Sequence, residues 1–219
     1  MADVRVTGTA DEIELIARSF GVAPRMERRP DGMMAVYFEV RAPKTICLDL
    51  GTTRPNPVED EIAAIVIVDW AGNVVHVGKY RPSRRELWQA ASEANGVAPD
   101  NQIDLPSFFD DQAKIREIIL GADEVIVFNA PRDMRFLEYN DAAPSSGAKV
   151  TDSMYEYCLW LGKTNHDSNC LSHIELADAA DRIGYAWENS AHGPAANALA
   201  CLTVQKWIEG QPNEEHLDF

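Results

Sequence analysis

The chain has 219 residues, 46% of them hydrophobic and 25% charged, which is typical of one globular domain with a sizeable core and room for a small appendage. The formal net charge of −15 disfavours non-specific binding to nucleic acid, which depends on basic surface, and keeps open a basic protein partner or mimicry of DNA charge. No apolar run is long enough to span a membrane and the first residues lack the apolar core of a signal peptide, so we predict a cytoplasmic protein.

Residues 1–42 are predicted to form a small β-α-β module. The short strand VRVTG precedes a helix over ADEIELIARSF, which begins with the spacing of a capping box. The turn PDG then leads into the alternating strand MMAVYFEVR. Arg25, Arg28 and Arg29 form the basic patch of this module. We predict that they lie in a solvated loop, with a nucleic-acid or protein contact as the alternative.

Residues 43–210 are predicted to form a mixed α/β layer with five strands, followed by a polar tail at 211–219. Three strands in a meander precede two strands that alternate with helices, so we expect parallel pairing after the third strand. The segment APDNQIDLPS is predicted as a loop, and Ser153 and Glu156 have the spacing of a capping box. The predicted strands are TICLDL, EIAAIVIVDW, VVHVGKY, EVIVFNA and AKVTDS, and the predicted helices are SRRELWQAASEAN, FFDDQAKIREIILG, PRDMRFLEYN, MYEYCLWLG, SHIELADAADRIG and AANALACLTVQKWIEG.

Polar side chains stand at the ends of three of these apolar elements. Asp49 ends the first strand, and Asn129 ends the fourth. Asp133 follows Asn129 by four residues on the next helix, so the two share a face. His192 and Asn197 flank the start of the last long helix. Strand ends are where α/β sheets build sites, although each residue alone is also explained by a turn, a helix dipole or a loop.

Taken together, these segments resemble the DEDDh family of 3′–5′ exonucleases. The family motif Asp-x-Glu-Thr-Thr reads DLGTT at residues 49–53, and Asn-Ala-x-x-Asp reads NAPRD at 129–133, before Phe136. The motif His-x-Ala-x-x-Asp reads HGPAAN at 192–197. The resemblance covers roughly residues 44–208. It implies a ribonuclease H-like fold, a mixed five-stranded sheet flanked by helices, and leaves the N-terminal module unexplained.

The resemblance also implies hydrolysis of phosphodiesters with two Mg²⁺ or Mn²⁺ ions held by four carboxylates and a histidine as general base. His192 matches the base, and Asp49 and Asp133 match two of the acids. The other two acidic positions hold Gly51, which has no side chain, and Asn197, whose amide oxygen is a weaker ligand. We therefore expect at most one ion, bound by Asp49 and Asp133. Losing the other ion should lower the rate on the order of a thousandfold or more.

The sequence thus predicts a degenerate exonuclease-like protein that binds the 3′ end of single-stranded nucleic acid or a nucleotide, with hydrolysis lost or much reduced. The predicted catalytic residues are His192, Asp49, Asp133 and Asn197. The predicted nucleic-acid contacts are Gly51, Thr52, Asn129 and Phe136. Two alternatives stay open. One is an active exonuclease that uses one metal or a relocated acid, although the nearby acids at 59–61 and Asp152 are more typical of caps or solvated loops. The other is an acidic interaction module that binds a basic protein or mimics DNA.

Overall fold

The computed structural model of the chain describes residues 2–8, 25–28, 34–40, 44–162, 164–165, 170–171, 174–187 and 194–211. The chain divides into two compact units, Met1–Pro43 and Lys44–Phe219. In chain order the described strands are β1 Ala2–Gly8, β2 Arg25–Arg28, β3 Met34–Val40, β4 Thr45–Thr52, β5 Ile62–Asp69, β6 Val74–Lys79, β7 Glu124–Val127, β8 Lys149–Asp152, β9 Thr164–Asn165 and β10 Cys170–Leu171. The described α-helices are α1 Trp88–Asn95, α2 Phe108–Leu120, α3 Ala130–Tyr139, α4 Ser153–Trp160, α5 Leu176–Arg182 and α6 Pro194–Glu209.

The N-terminal unit contains a three-stranded antiparallel sheet in the order β1-β3-β2. The two predicted strands are present as β1 and β3, which pair along their whole length. Arg25–Arg28 forms strand β2 on the other side of β3, where the sequence analysis predicted a loop. Ladder hydrogen bonds come from the backbone, so a charged tetrapeptide pairs as well as an apolar one. The predicted helix at residues 10–20 lies outside the described residues.

The second unit is built on a five-stranded sheet in the order β6-β5-β4-β7-β8. Strand β4 pairs antiparallel with β5, and β5 pairs antiparallel with β6. On its other edge β4 pairs parallel with β7, which pairs parallel with β8. The mixed sheet and the change to parallel pairing after the third strand are confirmed. Strand β5 is buried at every residue from Ile62 to Val68 because both faces of the sheet are covered.

Alternation along β4 separates the two faces of the sheet. Ile46, Leu48 and Leu50 belong to the larger core cluster. Cys47 belongs to a second cluster on the opposite face, which it shares with Cys201 of α6. Because side chains in a strand alternate between faces, the odd-numbered residues that follow Cys47 face the α6 side as well. The register of β4 against β5 shifts between residues 51 and 52, at the end of the strand.

The helices follow the predicted pattern with local differences. The helix predicted at residues 83–95 begins with a 3-10 turn at Arg85–Leu87. The loop predicted after it contains the 3-10 helix Pro99–Asp104. The predicted capping box at Ser153 is wrong, because Asp152 caps α4 and the buried Ser153 hydroxyl donates to Gln205 Oε1 at 2.8 Å. None of the helices in the described part of the chain is both long and apolar enough to cross a membrane.

Candidate functional site

A cleft of about 210 Å³ opens at the carboxyl end of β4. Strand β4, α1, α3 and α6 all contribute to its walls. The lining residues are Asp49, Leu50, Gly51, Thr52, Glu93, Ala94, Arg132 and Asn197. The structure therefore brings together four of the predicted site residues, Asp49, Gly51, Thr52 and Asn197. It also adds two charged side chains, Glu93 and Arg132, that the motifs did not indicate.

The Asp49 carboxyl group has a pKa raised toward neutral pH. Burial raises its pKa from 3.8 to about 6. Two neighbours oppose this effect: the Asn197 side chain, whose Nδ2 donates to Asp49 Oδ2 at 3.4 Å, and the Arg132 guanidinium, which holds the pKa down by its charge. Asp49 is therefore a half-buried acid in the cleft that accepts a hydrogen bond from Asn197 and lies near the positive charge of Arg132.

Asp133, the second predicted acid, does not line the cleft and is more deeply buried than Asp49, with 2% of its surface exposed. Burial raises its pKa well above the ordinary range, the charge of Asp49 raises it further, and Arg132 lowers it. Its Oδ1 atom has no hydrogen-bond partner among the described residues. A buried carboxylate oxygen without a partner is costly, and a cation shared with Asp49 would relieve that cost.

Asp152 positions the chain just before Asp133. Asn129 adopts left-handed backbone angles, φ 78° and ψ 66°, between β7 and α3. Its N–H and that of Ala130 donate to the Asp152 carboxylate at 3.1 and 2.8 Å. The same carboxylate accepts the N–H groups of Met154 and Tyr155 in the first turn of α4. Asp152 is thus engaged in structure, as the sequence analysis favoured.

Replacing Asp152 with alanine is expected to lower the free energy of unfolding by about 2 kcal/mol, because a helix cap and two further backbone contacts are lost together. Urea unfolding monitored by circular dichroism measures the change. The Asp152→Asn variant, which keeps one carbonyl acceptor, should lose less. Equal losses in the two variants would show that the carboxylate does not act through these N–H groups.

Helix α1 closes the space beside Gly51. A Cβ placed on Gly51 would lie 2.8 Å from the carbonyl oxygen of Ala94 and 3.2 Å from the Cβ of Ala64. The Ala94 carbonyl belongs to the last turn of α1, where carbonyls lack partners within the helix. This end of α1 is held by the buried Asn95 side chain, whose Nδ2 lies 3.4 Å from Ala63 O and 3.3 Å from Tyr80 O. The position of the missing carboxylate is therefore filled by backbone.

The described residues at the cleft do not fit a pair of divalent ions. The acids of the motif that are present, Asp49 and Asp133, carry oxygen atoms of the kind that hard cations prefer, and Asp133 Oδ1 is without a partner among the described residues. Across the described ranges, no group of three His, Cys, Asp or Glu side chains is arranged to hold a metal. Asn197 turns an N–H toward Asp49 rather than its oxygen, and Gly51 has no room for a ligand.

Several predicted site residues lie elsewhere. Phe136 is 0% exposed and packs in the larger core cluster, so its predicted contact with nucleic acid is corrected to a packing role. Asn129 does not line the cleft; its backbone N–H is bonded to Asp152. His192 lies outside the described residues. Asp60 and Glu61 brace the loop after β4, where they accept from the N–H groups of Asn56 and Ser83.

Sequence reasoning missed Arg132 and Glu93 for different reasons. Arg132 lies inside the NAPRD motif, directly before Asp133, and its position in the first turn of α3 was a usable signal. Glu93 reaches the cleft only because α1 folds against the end of β4, and no local pattern links residue 93 with residue 51.

The structure is similar to solved structures of exonuclease I. A product-bound structure matches with a TM-score of 0.56 at 16% identity, over 77% of this chain and 44% of that chain. E. coli exonuclease I in complex with a dA16 oligonucleotide gives a TM-score of 0.56 at 16% identity, over 77% and 41% of the two chains. The zinc-bound form of the E. coli exonuclease I complex with single-stranded DNA gives 0.57 at 16% identity, again over 77% and 41%.

This chain thus spans less than half of the length of those exonuclease I structures. No family model matches the chain, and no curated protein matches it in sequence. At this level of identity the similarity concerns the fold. Together with the strand order β6-β5-β4-β7-β8, it shows that the chain has the α/β fold of the ribonuclease H-like exonucleases, a mixed five-stranded sheet flanked by helices.

Proposed function

We propose that this chain is a degenerate 3′–5′ exonuclease-like protein that binds the 3′ end of a single strand, or a nucleotide, with hydrolysis lost or much reduced. Three features support the proposal: the exonuclease-like fold, the cleft at the end of β4 with Asp49 in its lining, and the second acid Asp133, which is buried close enough to feel the charge of Asp49. Similar structures were solved with dA16, dT13 and single-stranded DNA, which supports a single strand as the ligand.

The main observation in favour of reduced activity is that the Ala94 carbonyl oxygen lies close to Gly51. An acid at position 51 would hold the ion that activates water, and a side chain there would collide with the backbone of α1. At the neighbouring position Asn197 donates a hydrogen bond instead of offering a charged ligand. The two changes remove the same ion from both sides, so they act together rather than separately.

The remaining residues would bind and orient a strand. Asp49 and Asp133 would hold one Mg²⁺ or Mn²⁺ ion, which when bound supplies charge that stabilises the leaving oxygen. Arg132 offsets the negative charge of both acids, and Asn197 orients the Asp49 carboxylate. By its motif position, His192 would accept a proton from the attacking water. Gly51 and Thr52 form the wall beside which the terminal nucleotide would lie.

One observation favours the alternative of an active enzyme with a relocated acid. Glu93 is exposed, lines the same cleft as Asp49, and makes only a long side-chain hydrogen bond, 3.5 Å from Gln89 Nε2, among the described residues. Its carboxylate comes from α1, the helix that blocks position 51. In this second candidate, Glu93 would supply the ligand that Gly51 lacks.

A 5′-labelled single-stranded oligonucleotide distinguishes the two candidates. We expect the parent chain with Mg²⁺ or Mn²⁺ to bind the strand, measured by fluorescence anisotropy, and to shorten it no faster than the Asp49→Ala variant does, measured on a denaturing gel. Shortening by the parent that both Asp49→Ala and Glu93→Gln abolish would contradict the proposal and establish the relocated acid. Absence of binding to both the strand and a nucleotide would contradict both candidates.

A further inference from the structure

Arg132 is held at the cleft by the end of β4. One of its terminal nitrogens, Nη2, donates to Thr52 Oγ1 at 2.9 Å and to the Leu50 carbonyl oxygen at 3.4 Å. Thr52 is 9% exposed, so this anchor point is itself fixed by burial. The guanidinium is therefore fixed in place although the residue as a whole is exposed.

The other nitrogens of Arg132 are available to a ligand. Nε and Nη1 make no hydrogen bond to any residue in the described part of the chain, and Arg132 lines the cleft beside Asp49 and Asn197. A guanidinium presents N–H donors in a planar fork that matches two oxygens of a phosphate. Asn197 lines the same cleft, and its Nδ2 donates to Asp49 Oδ2.

We propose that Arg132 is the phosphate-binding residue of the cleft, and that its guanidinium group binds a phosphate of the nucleic acid without a divalent metal. This proposal rests on the proposed function, because it identifies how the same cleft would hold a strand. Where a two-metal site would place its second ion, this chain has no side chain at Gly51 and a hydrogen-bond donor at Asn197. Arg132 supplies a fixed positive charge to the same cleft.

Glu93 of α1 contributes a negative charge to the cleft, opposite in sign to that of Arg132. It is exposed, and among the described residues it makes one hydrogen bond, from Gln89, and no salt bridge. A phosphate gripped by Arg132 would lie in the repulsive field of this carboxylate. Removing the charge of Glu93 should therefore tighten binding, whereas removing that of Arg132 should weaken it.

The test measures binding of a 5′-fluorescein oligothymidylate in EDTA, by anisotropy, over a series of salt concentrations. Arg132→Gln should weaken binding about tenfold, and the slope of log Kd against log salt should fall by about 0.7, the value for one phosphate contact on a single strand. Arg135→Gln is the matched control, because Arg135 is exposed on the same helix outside the cleft. Its Kd should equal that of the parent.

Unchanged affinity in Arg132→Gln, or an equal loss in Arg135→Gln, would overturn the proposal. Glu93→Gln should bind about threefold more tightly at low salt, since a like charge near the phosphate is removed. If Glu93→Gln binds the strand no more tightly than the parent does, the phosphate lies outside the cleft and the proposal is overturned as well.

Thymidine 5′-monophosphate separates this inference from the proposed function. If the parent binds no strand, the single-strand form of the proposed function fails, and the nucleotide then decides the role of Arg132. A rise in Tm with thymidine 5′-monophosphate in the parent and in Arg135→Gln, but not in Arg132→Gln, would support phosphate binding by Arg132 alone. No rise in any of them would overturn that role as well.

Discussion

Replacing Gly51 with glutamate is expected to destabilise the protein by about 3 kcal/mol rather than to restore a two-metal site. The Cβ alone would lie 2.8 Å from the Ala94 carbonyl oxygen, which belongs to the backbone and cannot rotate away. Overpacking of this kind typically costs about 1–3 kcal/mol, and an added carboxylate close to Asp49 adds electrostatic repulsion. We expect no gain in strand degradation from the variant, alone or combined with Asn197→Asp.

Urea unfolding compares Gly51→Glu and Gly51→Ala with the matched control Gly147→Ala. Gly147 has nothing within 4 Å of an added Cβ, so alanine there should change the free energy of unfolding little. Gly51→Ala should cost about 1–2 kcal/mol because it makes the collision without the charge. A Gly51→Glu variant as stable as the parent would show that α1 yields readily, and the loss of the second ion would then need another cause.

Asp49→Asn is expected to stabilise the protein by about 3 kcal/mol at pH 8 in the absence of metal. Burial raises the pKa of Asp49 from 3.8 to about 6, so the folded protein holds a proton that the unfolded chain has already released. Ionising Asp49 in the folded state therefore costs about 1.4 kcal/mol for each of roughly two pKa units. Stability contributed by this group is present below pH 4 and is lost as pH rises toward and through 6.

The two proteins should accordingly have similar stability at pH 4 and diverge between pH 4 and 7, with the asparagine variant the more stable. Asparagine resembles the protonated acid in shape, and it retains an oxygen for the Asn197 N–H. Asp104→Asn, at an exposed position, is the control and should show no such divergence. A constant difference between Asp49→Asn and the parent at all pH values would contradict the raised pKa.

The fold was predictable because its signals are local. The apolar run of β5 and the change from a meander to alternating strands and helices indicate a mixed sheet, and the sheet order agrees. The capping box at Ser153 failed because two adjacent residues compete for the same role and Asp152 has the better acceptor. Strand β2 was missed because RMER pairs through its backbone and carries no apolar alternation.

The candidate site was predictable only in part. Asp49 and Asn197 lie 148 positions apart in the chain, and only the family motifs indicated that they would meet. The motif also pointed to Gly51 as a missing ligand but could not reveal that α1 fills the space. That contact joins two segments through tertiary packing, which leaves no periodicity in either one. Phe136 shows the opposite error, since a motif residue was assigned a ligand contact although its place is in the core.

The carboxylate of Asp152 has a consequence for how the second unit opens. It accepts N–H groups from the start of α3 and from the first turn of α4, two segments that are separate in the chain. Amide protons at these four positions should exchange with solvent as one cooperative group, because all four N–H groups depend on the same carboxylate as acceptor. Through Asp152, the first turn of α4 is thus linked to the backbone just before Asp133, although α4 contributes no residue to the cleft.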